Sequence, residues 1–408
     1  GILSFAITGA VFLFVGICYE RFSRVVPQGV SAYSYVYHSI GEIFAWVVAF
    51  GLFLEYSFGA SAVAIGWSVY LKRVFEDLRL LPTFWQGSTI DALGQFHFGI
   101  NIIALAAVIV VTVICIAGGI QKSAKLNFLL VCLKCALLLV FMCAGTMHIN
   151  PANWQNFMPK GITGVMQGAA IAVFPYVGFD ALYTFARESK SVRDTRIATY
   201  WCIGLVAFLY VAVMAIATGM APVFPNGAEQ APNPLFIGTE ASAPLANLLV
   251  AAGENWAGKL IAAGAVIGIF NVLLVLSMGG PRIFRNMAED GLLPPIFAKT
   301  KNGNPTFGLL VNGVIVGLVA GFVPFDQVSD IMVLGTLVAF VFVCIGALRL
   351  KLVHPLVALA GALGCAGLSA FLGELVWKVY AITCPIGLLF YFTYGRKHSK
   401  LNQESSAS

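Results

Sequence analysis

Apolar residues run along this chain in blocks of about 20, the length that carries a helix through the hydrocarbon core of a bilayer. Eleven blocks are legible: about 1–19, 41–71, 98–120, 124–147, 163–184, 197–222, 258–281, 306–323, 327–349, 353–372 and 375–394. Each predicts a spanning helix. The second is long enough to be strongly tilted, and 306–349 is cut only by the Pro324-Phe325-Asp326 turn region. Between blocks lie breakers. Pro27 and Gly29 interrupt a polar, aromatic stretch that continues into Tyr33, Tyr35 and Tyr37. The segment 223–257 carries Pro225, Gly227, Pro232, Pro234 and Gly238, and its Ala243–Ala252 part predicts a short helix lying over the mouth. Gly264 and Gly268 have the GxxxG spacing that lets helices approach closely.

Composition sharpens this picture. The 408 residues are 59% hydrophobic and 10% charged, with a mean hydropathy of +0.89. Soluble globular chains carry roughly a quarter charged residues, so this one cannot clothe a water-facing surface. It reads as a polytopic membrane protein, one transmembrane domain over 1–396 with a polar tail over 397–408. A large aqueous enzyme domain, a disulfide scaffold and an extensive disordered tail are excluded. The nine cysteines lie in apolar segments, and the Cys132/Cys135 pair sits inside a predicted span with no second ligand pair, so it reads as packing. The five histidines are scattered. No metal site and no cofactor are expected.

The net charge of +6 does not point to nucleic acid, because the bases fall in short clusters between apolar blocks. One set of loops holds Arg21, Arg24, Lys122, Lys125, Arg187, Lys190, Arg193, Arg196, Arg282, Arg285, Lys299, Lys301, Arg349, Lys351, Arg396, Lys397 and Lys400. The alternate loops hold Lys72, Arg73, Arg79, Lys160, Lys259 and Lys378, and Lys134 lies inside a span. Seventeen against six predicts that the first set, with the C-terminus, is cytoplasmic. Eleven spans ending inside would begin outside, yet an apolar run with no basic flank opens the chain. The expectation is a further helix before Gly1, twelve in all.

Ionisable residues deep in spans are expensive and point to function. Glu55 lies midway along 41–71, Lys134 midway along 124–147, and Asp180 follows an interruption in 163–184. Glu42, near a span end, reads as structural. Glu55 and Lys134 admit two readings. One is a buried ion pair that fixes packing, where losing one partner costs about 3–5 kcal/mol. The other is a pair of groups that exchange protons during a transport cycle, since burial disfavours their charged forms. In the run Val173-Phe174-Pro175-Tyr176-Val177-Gly178-Phe179-Asp180, Pro175 removes an amide donor and Gly178 permits non-helical backbone. That predicts either an ordinary kink or an unwound segment, whose free backbone groups line a cavity and bind a zwitterion or ion.

These residues resemble a family. Tyr19-Glu20, Gly29-Val30-Ser31-Ala32-Tyr33-Ser34-Tyr35, Leu54-Glu55-Tyr56, Val173–Asp180, Arg282–Pro294 and Gly335-Thr336-Leu337-Val338-Ala339-Phe340 look like runs of the amino acid–polyamine–organocation superfamily. Within it the chain resembles the cationic amino acid transporter branch and its bacterial homologues, from Gly1 to about Arg396. The resemblance implies an all-α membrane fold of the leucine-transporter type, two inverted five-helix repeats plus two helices, with 1–19 as the second family helix. Eleven of twelve helices would then be present. It implies that carbonyls around Phe174, Pro175, Tyr176, Val177 and Gly178 receive the substrate ammonium and that Phe174 gates the site. Lys134 corresponds to the fifth-helix lysine that replaces a sodium ion in proton-coupled members. Glu55 corresponds to a third-helix glutamate, and Phe270 and Asn271 fall at the side-chain end of the pocket. Two positions depart: Pro175 stands where relatives have alanine, and Arg187-Glu188 where a Glu-Glu pair is common.

The expected function is therefore proton-coupled uptake of an L-amino acid by alternating access, with Lys134, Glu55 and Asp180 as proton-coupling residues. The lining of 258–281 (Ala265, Val266, Gly268, Phe270, Asn271) has no acidic group, which favours small or apolar substrates over arginine, lysine or polyamines. An enzyme is disfavoured by the lack of a catalytic cluster, and a channel by the absence of polar rings; a non-transporting sensor remains the other class. Expected partners are the amino acid and membrane lipid, with a small accessory membrane subunit left open. A bacterial inner membrane is the expected home.

Overall fold

Each apolar block is a helix in the computed structural model. It describes residues 1–26, 31–75, 78, 80–90, 95–118, 124–155, 157–180, 183, 192–224, 233, 235, 243–301 and 303–400, with backbone alone for Ile90, 124–127 and 192–196. The helices are α1 (Ile2–Val25), α2 (Ala32–Ser39), α3 (Glu42–Val74), α4 (Ile102–Ala117), α5 (Ala124–Thr146), α6 (Gly161–Tyr176) and α7 (Val192–Met220). Then come α8 (Pro244–Ala251), α9 (Asn255–Glu289), α10 (Thr306–Phe322), α11 (Phe325–Arg349), α12 (Pro355–Ser369) and α13 (Glu374–Phe390). The sole strands among the described residues, β1 (Thr89–Ile90) and β2 (Phe96–His97), form a small hairpin. The expected short helix after Ala243 is α8, started by Pro244.

Seven of these helices are long and apolar enough to cross a membrane, and α4, α6, α10 and α12 are shorter apolar helices. Their outward faces stay apolar: Leu129, Trp201, Phe208, Val314, Leu356, Leu363 and Ile382 are all exposed. In water such a surface would aggregate; in lipid it is the expected finish. Polar loops collect at two ends. At one, Arg349 donates to the Ile40 carbonyl at 3.1 Å and the Tyr391 hydroxyl to Glu42 Oε1 at 2.9 Å. At the other, Asn101 N–H donates to Gly321 O at 2.8 Å, Asn150 N–H to Gly219 O at 2.9 Å, and His148 meets Glu254 at 3.3 Å. Loops grouped by their charge are thus neighbours in space.

Helix α3 is the hub, packed against α2, α9, α10 and α11, while α1 packs against α6, α7 and α12. Close approach is set by small residues. At Gly51 a Cβ would stand 2.6 Å from the Gly335 carbonyl oxygen, so α3 and α11 touch backbone to backbone there. The Gly264/Gly268 pair seats α5 against α9: a methyl on Gly268 would lie 3.2 Å from Lys134 Cε.

Residues 397–400 do not hang free. After a π-helical turn at Tyr391–Gly395, Ser399 is buried and donates to Glu42 Oε2, and Lys400 N–H donates to Asp290 O at 3.2 Å. Tyr33 donates to Asp290 Oδ2 at 2.7 Å. Burial pushes the Asp290 carboxyl above the usual carboxylate range, against the pull of that hydrogen bond and of Lys400. Residues 401–408, the breakers Pro27, Gly29, Pro225, Gly227, Pro232, Pro234 and Gly238, the departure at Arg187-Glu188, and Arg79, Lys122 and Lys190 lie outside the described residues.

Candidate substrate and proton site

The break in the fifth apolar block falls later than Pro175. Helix α6 continues through Pro175 to Tyr176, and the chain leaves it at Val177, which is extended, and Gly178, whose φ is +114°. A proline costs one bond to the carbonyl four residues back; one residue from the helix end that loss does not unwind the preceding turn. Gly178 supplies the left-handed backbone that ends it. The carbonyls of Val173 and Phe174 accept from Val177 N–H at 3.2 and 3.3 Å, and that of Pro175 accepts from the Tyr210 hydroxyl at 2.7 Å. The Phe174 and Pro175 carbonyls thus each already accept one hydrogen bond. The non-helical stretch is Val177–Asp180, with Val177 and Gly178 half-buried.

Phe174 points elsewhere. Its ring meets the Phe325 ring edge-on at 5.9 Å, one turn along α6 from the break and at the first residue of α11. The Tyr176 hydroxyl donates to Phe5 O at 2.9 Å, locking the end of α6 onto α1.

Beyond the break, Asp180 and Glu55 meet. Both are buried, Glu55 at 0% exposure. The Glu55 carboxyl faces Asp180 and the Thr336 hydroxyl without closing a hydrogen bond of normal geometry to any described residue. The Tyr56 hydroxyl donates to Asp180 Oδ2 at 3.2 Å. The backbone contact at Gly51 and Gly335 explains why Glu55 faces Thr336. Glu55 is one helical turn from Gly51, on the same face, and Thr336 directly follows Gly335. A Cβ on Gly279 of α9 would overlap the Tyr56 ring, so that glycine leaves the ring its space.

Lys134 is elsewhere. It lies part-buried on α5 against Gly268, and among the described residues no carboxylate pairs with it. The Glu55–Lys134 ion pair is not formed; Glu55 has an acid for a neighbour instead. Phe270 and Asn271 follow on α9. Asn271 is buried, while Phe270 packs on Trp67 at 5.7 Å. Together these rings line an apolar cavity of about 420 Å³ with Leu71, Ile103, Ala107 and Val110, and none of 174–180 borders it. Among the described residues no group of His, Cys, Asp or Glu gathers as a metal site.

Sequence reasoning singled out Glu55 and Asp180 but not Tyr56, Thr336, Tyr19 or Phe325. Tyr56 and Thr336 sit beside the flagged residues in the runs Leu54-Glu55-Tyr56 and Gly335-Thr336, the one signal that could have found them.

A multi-pass, all-helical membrane protein with a broken helix beside paired buried carboxyls is the class that fold and site define. The chain belongs to the amino acid permease family, whose model matches residues 1–394. It is 32% identical over 419 residues to the branched-chain amino acid permease of Bacillus subtilis (strain 168), covering 98% of this chain and 87% of that one. It is 30% identical over 418 residues to the methylthioribose transporter of the same organism, with the same coverage. Cationic amino acid transporter 9, chloroplastic, of Arabidopsis thaliana is 32% identical over 302 residues, 73% of this chain and 50% of the relative. These relatives are transporters, not enzymes.

Proposed function

We propose that this permease takes up small or apolar L-amino acids together with a proton, by alternating access, with its basic-loop end and C-terminus in the cytoplasm of a bacterial cell. The observation that carries this is the Glu55–Asp180 pair beside the non-helical Val177–Gly178 stretch. Two carboxyls facing each other in a dry core cannot both be ionised, so they share one proton. In a leucine-transporter-type inverted repeat, a broken helix presents backbone groups to a zwitterion near the midplane. Here the carbonyls from Tyr176 to Gly178 are assigned to the substrate ammonium, and Phe174 with Phe325 to the outer gate. Substrate and proton bias the outward and inward states only through unequal affinity for them. Lys134, wedged between α5 and α9, is a second proton-coupling group.

The absence of an acidic residue among Ala265, Val266, Gly268, Phe270 and Asn271 supports neutral substrates, as does the name of the branched-chain relative; the cationic transporters in the same family favour the other reading. Competition of labelled alanine uptake decides between them. Leucine is expected to compete at least tenfold better than arginine, and the reverse order would refute the neutral assignment. For Lys134, replacement by alanine in the full chain reconstituted in liposomes is expected to remove most of the stimulation by an inward proton gradient. Unchanged gradient dependence would remove Lys134 from the mechanism.

A further inference from the structure

Tyr19 carries a feature that no packing role explains. It is fully buried, and its hydroxyl has no hydrogen-bond partner among the described residues. Buried hydroxyls almost always find one, and leaving one unpaired costs free energy that selection for packing alone would remove by using phenylalanine. The charged groups acting on this hydroxyl are Asp180 and Glu55. It is an unused donor beside a carboxyl pair.

Its ring belongs to a second structure. Tyr19 stacks edge-on with Phe179 at 5.5 Å and with Phe340 at 5.6 Å; Phe179 meets Phe340 at 5.3 Å, and Phe12 meets both at 5.7 and 5.3 Å. This four-ring cluster joins α1, the non-helical end of α6 and α11 on the basic-loop side of the break. Phe179 is the residue before Asp180 and stands on backbone that no helix holds, so movement of the one carries the other.

We propose that Tyr19 is the positioning residue that transmits the protonation of the Glu55–Asp180 pair to the basic-loop end of the bundle. This rests on the shared-proton reading of that pair. While the pair holds its proton, only one of the two carboxyls carries charge, the Tyr19 hydroxyl stays idle and the four rings stay packed. When the proton leaves, the ionised pair needs another donor. Tyr19 keeps its own proton and turns its hydroxyl toward the carboxylates, and its ring leaves the contacts with Phe340. That loosens α1 from α11 where the substrate must exit. The titratable groups facing Tyr19 are Tyr35 from α2, Glu55 and Tyr56 from α3, and Asp180 and Tyr183 beyond α6; from α11 the facing group is the uncharged Phe340.

The test is Tyr19→Phe in the full chain in liposomes, which keeps the ring and removes the donor. Equilibrium binding of labelled alanine at fixed pH is expected within threefold of the parent, while stimulation of uptake by an inward proton gradient falls at least tenfold. Thermal stability is expected to be no lower, since the hydroxyl has no bond to lose. A gradient response equal to the parent's overturns the proposal. So does a melting temperature several degrees lower, which would mean that the hydroxyl is already bonded in the resting state. Glu55→Gln run in parallel separates the two levels. If Glu55→Gln also keeps its gradient response, the shared-proton reading has failed; if only Tyr19→Phe keeps it, the failure is confined to Tyr19.

Discussion

Glu55→Gln is expected to abolish concentrative uptake driven by a proton gradient, by at least tenfold, while exchange of labelled for unlabelled substrate persists within about threefold. The glutamine preserves side-chain shape at a position with 0% exposure, so α3 and α11 still meet at Gly51 and Gly335. What disappears is the second acid. Asp180 then faces an amide, keeps the Tyr56 hydrogen bond of 3.2 Å, and no longer shares a proton with a carboxyl neighbour. Exchange needs only the substrate site to change sides, whereas accumulation needs proton and substrate to move as one. Stability is expected to hold or rise slightly, because a buried group that closes no hydrogen bond gives way to one that carries no charge in any state. Adding Asp180→Asn to Glu55→Gln is expected to cost little more than either change alone, since the two residues act as a unit and a double-mutant cycle reads that coupling. Parent-like accumulation ratios in Glu55→Gln, measured with labelled alanine across an imposed gradient, would remove the pair from the mechanism.

The spans were legible because a bilayer imposes one demand, an apolar run of sufficient length, and every such run here is a helix. The importance of Glu55 and Asp180 was also legible, since burying an acid in lipid is costly wherever it points. Their meeting was not. It depends on where the non-helical stretch after α6 lands against α3, with Tyr56 bonded to Asp180, and nothing near either acid in the chain names the other. Lys134 was the obvious partner by charge and proved to lie against Gly268, because helix faces and not charges decide which residues meet. Pro175 and Gly178 together marked the break; near a helix end the missing N–H of the proline costs one bond, and it is Gly178 that turns the chain. Tyr19 stood out only as part of the run Tyr19-Glu20, for an idle hydroxyl is visible only when its surroundings are known. The docked chain end was hidden for the opposite reason: Ser399 stands in a basic, polar run that looks solvated, and its burial on Glu42 is a tertiary event.

Gly335→Val is expected to destabilise the protein more than any other single replacement at a span glycine facing α3. A Cβ at 335 would lie 2.5 Å from the Gly51 carbonyl oxygen and 2.9 Å from Leu54 Cβ, and the first of these is backbone that no rotamer change can move. The two helices must part. Overpacking in a filled core costs about 1–3 kcal/mol and occasionally more, and here the crossing in the first third of the hub helix bears the whole displacement. Gly367→Ala on α12 is the control, because its Cβ would meet nothing within 4 Å; by helix propensity it should be neutral or stabilising by up to about 1 kcal/mol. Thermal unfolding in detergent reads both. A second consequence follows from position. Thr336 and Glu55 flank the crossing, so separation also pulls the Glu55 carboxyl from Thr336 and from Asp180. The valine variant, where it still folds, should therefore lose gradient-driven accumulation along with stability, whereas bulk introduced at Gly308 of α10, beside Pro281 at 3.4 Å, should strain packing without touching the pair. A Gly335→Val protein as stable as Gly367→Ala, with normal accumulation, would show that α3 and α11 do not cross there, and with that crossing would go the physical reason for Glu55 to face Thr336.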